Sequence, residues 1–312
     1  MMKILLLSCY LISFSILYGF QHPHGKPEAV SLFGKRLYPP PLPAEAKKEL
    51  EENLARARAA YEENPGDVEA IIWLGRRTAY LWHYREAIEI FTRGIKRFPQ
   101  DARLYRHRGH RYITLREFDN AIADLQKALF LTKGSEDVVE PDGQPNKLNI
   151  PTGTLQTNIL YHLGLAFYLK GDFHSAMNHF GACRGLSKND DMLVAATDWE
   201  YMAFRRMGPV IDGPDLLKNI RKEMNVIENF AYHHRLLLYK EELPVDSLLN
   251  LESATDLDLA TYGYGLGNWY LYNGDTERAR QIFEKVLAGN YWAAFGYIAA
   301  EADLKRMSAT KE

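Results

Sequence analysis

"WLGRRTAYLWHYREAIEIF" runs from Trp73 to Phe91, and an altered copy of it returns down the chain. Thirty-four residues after Gly75 comes Gly109; the same interval separates Tyr84 from Phe118, Ala87 from Ala121, Phe91 from Leu125, and Pro65 from Pro99. A third copy lies 55 residues further on, where Gly164, Phe173, Ala176 and Phe180 stand in "HLGLAFYLKGDFHSAMNHF". A last clear copy lies 103 beyond that, at Gly267, Thr276, Ala279 and Phe283. A fixed period of this length marks a stacked array of small units, each burying its apolar face against the next. The glycine and alanine positions are where two helices cross closely. The large residue four places after the alanine fills the seam between units.

The recurring order "LG", aromatic, alanine, large apolar residue resembles the tetratricopeptide repeat, a pair of antiparallel helices. The resemblance implies an all-α, right-handed superhelical array over 44–307, carried by the matches in 68–133, 157–190 and 260–290. Segment 44–65 then reads as a half-repeat capping the N-terminal edge. Residues 191–258 are expected to hold two degenerate units, read in pieces that include "PDLLKNIRKEM". After Gly289, "YWAAFGYIAAEADLKRM" reads as a closing helix over the C-terminal edge, with 308–312 as a tail.

The rest of the chain sets bounds. Its 312 residues are 46% hydrophobic and 25% charged, enough for a sizeable core. Lys and Arg number 38 against 40 Asp and Glu, so net charge gives no case for nucleic acid and any basic site is local. Lys3 followed by "ILLLSCYLISFSILYGF" has the pattern of an export signal over 1–20. A cleaved signal is the favoured expectation, placing the protein in the periplasm or outside the cell. An uncleaved anchor comes second and a lipid on Cys9 third; the membrane enters only through these. Without Cys9, Cys183 is alone, so no internal disulfide forms. Prolines in 21–43 exclude helix and predict an extended arm, in which His22 and His24 lack a third metal ligand.

Within the second unit, "RLYRHRGHRYITLREF" (Arg103 to Phe118) is strongly basic. In tetratricopeptide arrays the first helix of each unit lines a concave groove that holds a peptide. Helical spacing puts Arg103, Arg106 and His110 on one face, with His107 and Arg111 beside it. Arg76 takes the place in unit one that His110 takes in unit two. In unit three that face carries Asn158, Tyr161, Leu165 and Tyr168; in the last unit, Thr261, Tyr264, Asn268 and Tyr272. The candidate peptide-binding residues are therefore Arg76, Arg103, Arg106, His110, Tyr161, Tyr168, Tyr264 and Asn268. Two readings of the arginines stand side by side. One is a solvated face answered by acidic neighbours. The other is a clamp for carboxylates of a protein or peptide ligand, since arginine grips carboxylates bidentately. Some family members hold a C-terminal carboxylate with lysine and asparagine; Arg76 and His110 occupy the asparagine places, which argues against that subtype.

No phosphate loop, serine elbow or paired zinc ligands are present, so no cofactor or metal is expected. His107 and His110 share a helix, but the arginines around them repel a cation. Of His233 and His234, adjacent and so on different faces, one packs and one is solvated. Cys183 reads as a buried inert thiol. The expectation is a binding scaffold; the alternative is a helical enzyme or accessory with an unrecognised site, for which Asp198, Trp199 and Glu200 are the material. The extra residues between units two and three form the insert "TKGSEDVVEPDGQPNKLNIPTG", Thr132 to Gly153. Its prolines and glycines exclude helix. Either it is a mobile surface loop, or it folds back along the array so that Glu136, Asp137, Glu140 or Asp142 approaches Arg103, Arg106 or Arg111.

Overall fold

The computed structural model describes residues 26–208, 215–251 and 253–309. The export segment, Cys9, His22 and His24 lie outside the described residues. A capping helix α1 (Ala44–Glu63) precedes the pairs α2/α3 (Val68–Tyr80, Tyr84–Arg97), α4/α5 (Ala102–Thr114, Phe118–Leu131) and α6/α7 (Leu155–Lys170, Phe173–Leu186). Then come α8 (Asp190–Arg206) and α9 (Phe230–Tyr239). A short α10 (Asp256–Asp258) runs through a π turn (Leu259–Gly263) into α11 (Tyr264–Tyr272), which pairs with α12 (Thr276–Ala288). Helix α13 (Phe295–Ala309) ends the described chain.

The repeat residues sit as their sizes require. Ala87, Ala121, Ala176 and Ala279 are fully buried at the crossings. A Cβ on Gly75 would stand 2.5 Å from the Phe91 ring, and one on Gly267 2.5 Å from Phe283. Asp67 and Asp101 cap α2 and α4 by accepting backbone N–H bonds from Glu69 and Arg103. These caps keep the unit period at the level of single hydrogen bonds.

Three expectations need correction. The arm, expected to be extended, folds back on itself over part of its described residues. Ala29–Val30 and Arg36–Leu37 form a two-residue antiparallel hairpin with Ala29 and Leu37 buried. Its backbone is tied to the other end of the chain: Leu32 N–H donates to Glu301 (2.7 Å), Lys305 donates to the Leu32 carbonyl (2.6 Å), and Trp292 Nε1 donates to the Tyr38 carbonyl (2.6 Å). The degenerate region does not hold two full helix pairs, because 215–229 forms turns rather than a helix. Leu216, Ile220 and Val226 bury there without helical backbone, and the buried Asp191 carboxylate accepts the N–H groups of Ile227, Glu228 and Asn229. Those bonds satisfy the turn internally, which removes the need for a ladder.

The third correction is the largest. Helix α13 does more than cover an edge. It returns along the inner face made by the first helices, touching α6 and α11. Phe295 packs on His110, Tyr161 and His162. The anchor for this path is a backbone detail. The turn between paired helices uses a left-handed residue, Gly171 (φ 88°) in unit three and Gly274 (φ 92°) in the last. In the first two units the same place holds Trp82 (φ 67°) and Arg116 (φ 66°). A bulky residue there costs on the order of 1 kcal/mol or more. Both side chains are engaged with the C-terminal segment: Trp82 packs edge-on against Trp292 at 5.1 Å, and Arg116 pairs with Glu301 at 2.9 Å while donating to the Trp292 carbonyl at 2.9 Å. The strain is offset by these contacts.

Candidate functional site

The inner face divides into a filled part and a polar part. In the filled part, Tyr168, Tyr264 and Asn268 are fully buried against α13 rather than open to a ligand. Tyr264 Oη lies 3.0 Å from Asp303 Oδ2 and 2.6 Å from Tyr168 Oη. A carboxylate only accepts, so Tyr264 donates to Asp303 and accepts from Tyr168. Asn268 Oδ1 accepts from Arg206, which also donates to Asp303 Oδ1 at 2.8 Å. Arg306 adds a bond to the same oxygen at 2.6 Å. Burial would raise the Asp303 carboxyl, but Arg206 and Arg306 outweigh it and hold it below the usual range. Tyr161 is also buried, its hydroxyl 2.9 Å from that of Tyr232.

The polar part belongs to α2, α4 and the insert. Arg103 stands at its margin, between Asp101 and Glu69 (both 2.6 Å). That is the solvated, answered arrangement. Arg106 and His107 are buried and face the insert, which folds back over them. Glu140 Oε2 lies 3.1 Å from Arg106 Nε and accepts from Asn158 Nδ2 at 2.9 Å; Glu140 Oε1 lies 3.3 Å from His107 Nε2. Arg106 Nε makes an ion pair here without hydrogen-bond alignment. Arg76 donates to the Pro141 carbonyl (2.8 Å) and Arg77 to the Gly143 carbonyl (2.8 Å). A polar cavity of about 200 Å³ remains beside them, lined by Arg76, Arg106, Glu140, Asp142, Asn158 and Glu228 among others.

Hydrogen-bond logic fixes the histidines. Arginine only donates, so His107 Nδ1 accepts from Arg106 (3.0 Å) and its proton sits on Nε2, toward Glu140. His110 Nδ1 likewise accepts from Arg111 at 2.6 Å. His162 Nδ1 donates to the Asn158 carbonyl at 2.6 Å. The His110 and His162 rings lie 4.3 Å apart. Burial first, and the neighbouring arginines second, press all three well below the ordinary histidine value. Burial also lowers Arg111 to about 10; no ion pair is seen to it among the described residues, and it lies over the Tyr84 ring. Neutral, arginine-bonded imidazoles do not present a chelating pair, and no group of three or more metal-ligating side chains occurs among the described residues.

The other sequence candidates are structural. Cys183 is fully buried, and burial pushes its thiol up to about 12. Asp198 is spent on a buried pair with Arg235, and Glu200 on Arg184. His233 packs, with Nε2 2.7 Å from the Arg221 carbonyl; His234 is half-buried rather than solvated, with Nδ1 3.1 Å from Tyr262 Oη. Sequence reasoning missed Trp82, Arg116, Glu301 and His162. The first two carried a signal: they stand where the other two units have glycine.

Stacked antiparallel pairs with small residues at every crossing define a helical-repeat protein. Residues 263–288 match the tetratricopeptide repeat family model. The glycine, the alanine and the large apolar residue of that unit recur at the corresponding places in the first three units, so the tetratricopeptide resemblance extends to them. Similar solved structures include YrrB, described as a TPR protein with an unusual peptide-binding site (16% identity over 80% of this chain and 97% of that one, TM-score 0.40). Another is a tetratricopeptide repeat protein from Parabacteroides merdae (13% identity, 82% and 99% coverage, TM-score 0.44). A comparison with curated proteins found no match. Among the described residues no helix is long and apolar enough to cross a membrane.

Proposed function

We propose that this protein is an exported scaffold that binds an acidic segment of a protein or peptide on the polar part of its inner face. One observation carries the acidic reading. Arg106 and His107 already hold a carboxylate, that of Glu140, flanked by Arg76 and Asn158. A ligand carboxylate would meet the same donors, and Arg111 behind them supplies further positive charge. With the rest of the first-helix face filled by α13, this region is covered by the insert instead. Binding of a fluorescein-labelled glutamate-rich peptide should weaken with salt, since charges are screened over about 8–10 Å. Arg106→Ala should weaken it roughly tenfold, about 1.4 kcal/mol. Affinity indifferent to both would reject the acidic ligand.

Export is supported by Lys3 and the uncharged run to Phe20. Mass spectrometry of the protein recovered from its native host tests it: loss of the first twenty or so residues is expected, and an intact Met1 on soluble cytoplasmic protein would refute it. A lipid on Cys9 would replace cleavage after the run by anchoring.

A further inference from the structure

The insert is held in an uneven way. Its two ends are built into the fold. Asp137 accepts from Thr154 Oγ1 (2.6 Å) and Gln156 N–H (2.9 Å), and Thr154 caps α6 in a reciprocal box with Thr157. Between these ends, Val138, Val139, Leu148 and Ile150 are each more than half exposed. The loop therefore gains little from apolar burial. Val138 and Glu140 also bond by backbone to Leu155 and Gly153 (2.9 and 3.1 Å), while the stretch from Glu140 to Gly143 is held by the binding surface through polar contacts. Glu140 enters the seat of Arg106, His107 and Asn158 with its side chain 8% exposed. The next carbonyl, of Pro141, is taken by Arg76, and the carbonyl of Gly143 by Arg77. Gly143 lies so close to the surface that a Cβ there would stand 1.9 Å from Tyr80 Oη and 2.8 Å from Arg76 Nη2. A side chain there would have to push the Tyr80 hydroxyl and the Arg76 guanidinium aside. The side chain of Asp142, by contrast, bonds only within the loop, to Gln144 N–H.

These contacts favour a glutamate, then a carbonyl that any residue supplies, a free position, and a close approach best met by glycine. Among the described residues Glu140 is the carboxylate within ion-pair reach of Arg106 and His107. Its departure would leave Arg106 without an ion-pair partner among the described residues, with Arg76 and Arg111 close by. The tie is a charged contact set, weakened by salt and open to exchange with a like segment.

We propose that residues 138–143 occupy the site in cis as an internal copy of the ligand, and that the partner presents an extended Glu-x-x-Gly segment which displaces them. This rests on the acidic-ligand reading above. The experiment uses the full mature chain and a variant in which 138–143 is replaced by six Gly/Ser residues, leaving Asp137 and Thr154 in place. The probe is a fluorescein-labelled peptide with the sequence of residues 136–146. The replaced variant should bind it at least tenfold more tightly than wild type. Binding should be lost with glutamine at the Glu140 position of the peptide, and lost again on adding Arg106→Ala to the variant. Equal binding by wild type and variant would overturn the occlusion. If the variant takes a scrambled peptide of the same composition equally well, the sequence reading fails while the acidic-ligand reading stands. If neither protein binds any acidic peptide, both fail. Should the replacement not fold, Glu140→Gln keeps the test: it removes the charge that ties the loop to Arg106 while leaving the loop backbone in place, and a gain in peptide affinity is expected, its absence again overturning the proposal.

Discussion

Asp303→Ala is expected to cost about 3–5 kcal/mol of stability, the range for breaking a buried ion pair from one side. The carboxylate is fully buried on α13 and collects Arg206, Arg306 and Tyr264. Its removal leaves the Arg206 guanidinium enclosed with only Asn268 Oδ1 as a polar partner among the described contacts. Arg103→Ala is the control, a half-exposed arginine whose pairs are worth under about 1 kcal/mol. Urea unfolding of the two variants measures the difference. A loss below about 1 kcal/mol for Asp303→Ala would mean that α13 is dispensable and the inner face opens without it.

Acid should unfold the protein earlier than its carboxylates require. His162 is buried and His110 half-buried; both are neutral in the fold, with folded values pressed below the roughly 6.5 of an unfolded chain. The sign follows directly. Below about pH 6.5 the unfolded state takes up protons that the folded state refuses, so stability falls as pH falls. Each such histidine removes up to about 1.4 kcal/mol at one pH unit below that point, hence about 3 kcal/mol for the two at pH 5.5. Facing them are Arg106, Arg111 and His107, with Glu140 on the far side of His107; none of the carboxylates bonds His110 or His162. His179 and His234, lowered by burial, add in the same direction. Chemical denaturation at pH 7.5 and 5.5 tests this. An unchanged midpoint would mean that water or a proton reaches the cluster in the folded state. His162→Asn should flatten part of the dependence even if it lowers stability overall.

The helix pairs were legible because their packing is periodic. Gly75, Gly109, Gly164 and Gly267 report crossings that any copy of the unit must make. The basic face of α4 was legible for the same reason, since spacing alone brings Arg106 and His110 to one side. The course of the insert was legible only in charge: acidic residues following a basic unit pointed to the contact that Glu140 makes. What α13 does was not legible. Its sequence has almost no amphipathic asymmetry, and Gly296 to Leu304 are buried on every side; that pattern marks burial but names no partner. Its partners lie 185 residues away at Arg116 and 97 at Arg206, outside the reach of any period. The fate of Tyr168, Tyr264 and Asn268 followed from that, because a face lined by them is open or filled according to where α13 goes. The turns at 215–229 escaped because their order comes from the Asp191 carboxylate on α8 rather than from their own pattern.

Tying the hairpin and the turns of the first two units to α13 changes how the array behaves as a material. An open stack of repeats is a spring: it stretches by small rotations at each joint, loses end units one at a time, and lengthens in evolution by copying a unit. Here Glu301 bonds Arg116 and the Leu32 backbone, so both ends share one clasp. A pulled spring of this kind resists until the clasp yields and then extends at once. A duplicated unit would carry Trp82 away from Trp292 and break the closure. The number of repeats is set by the circumference, as staves are set by the hoop of a cask.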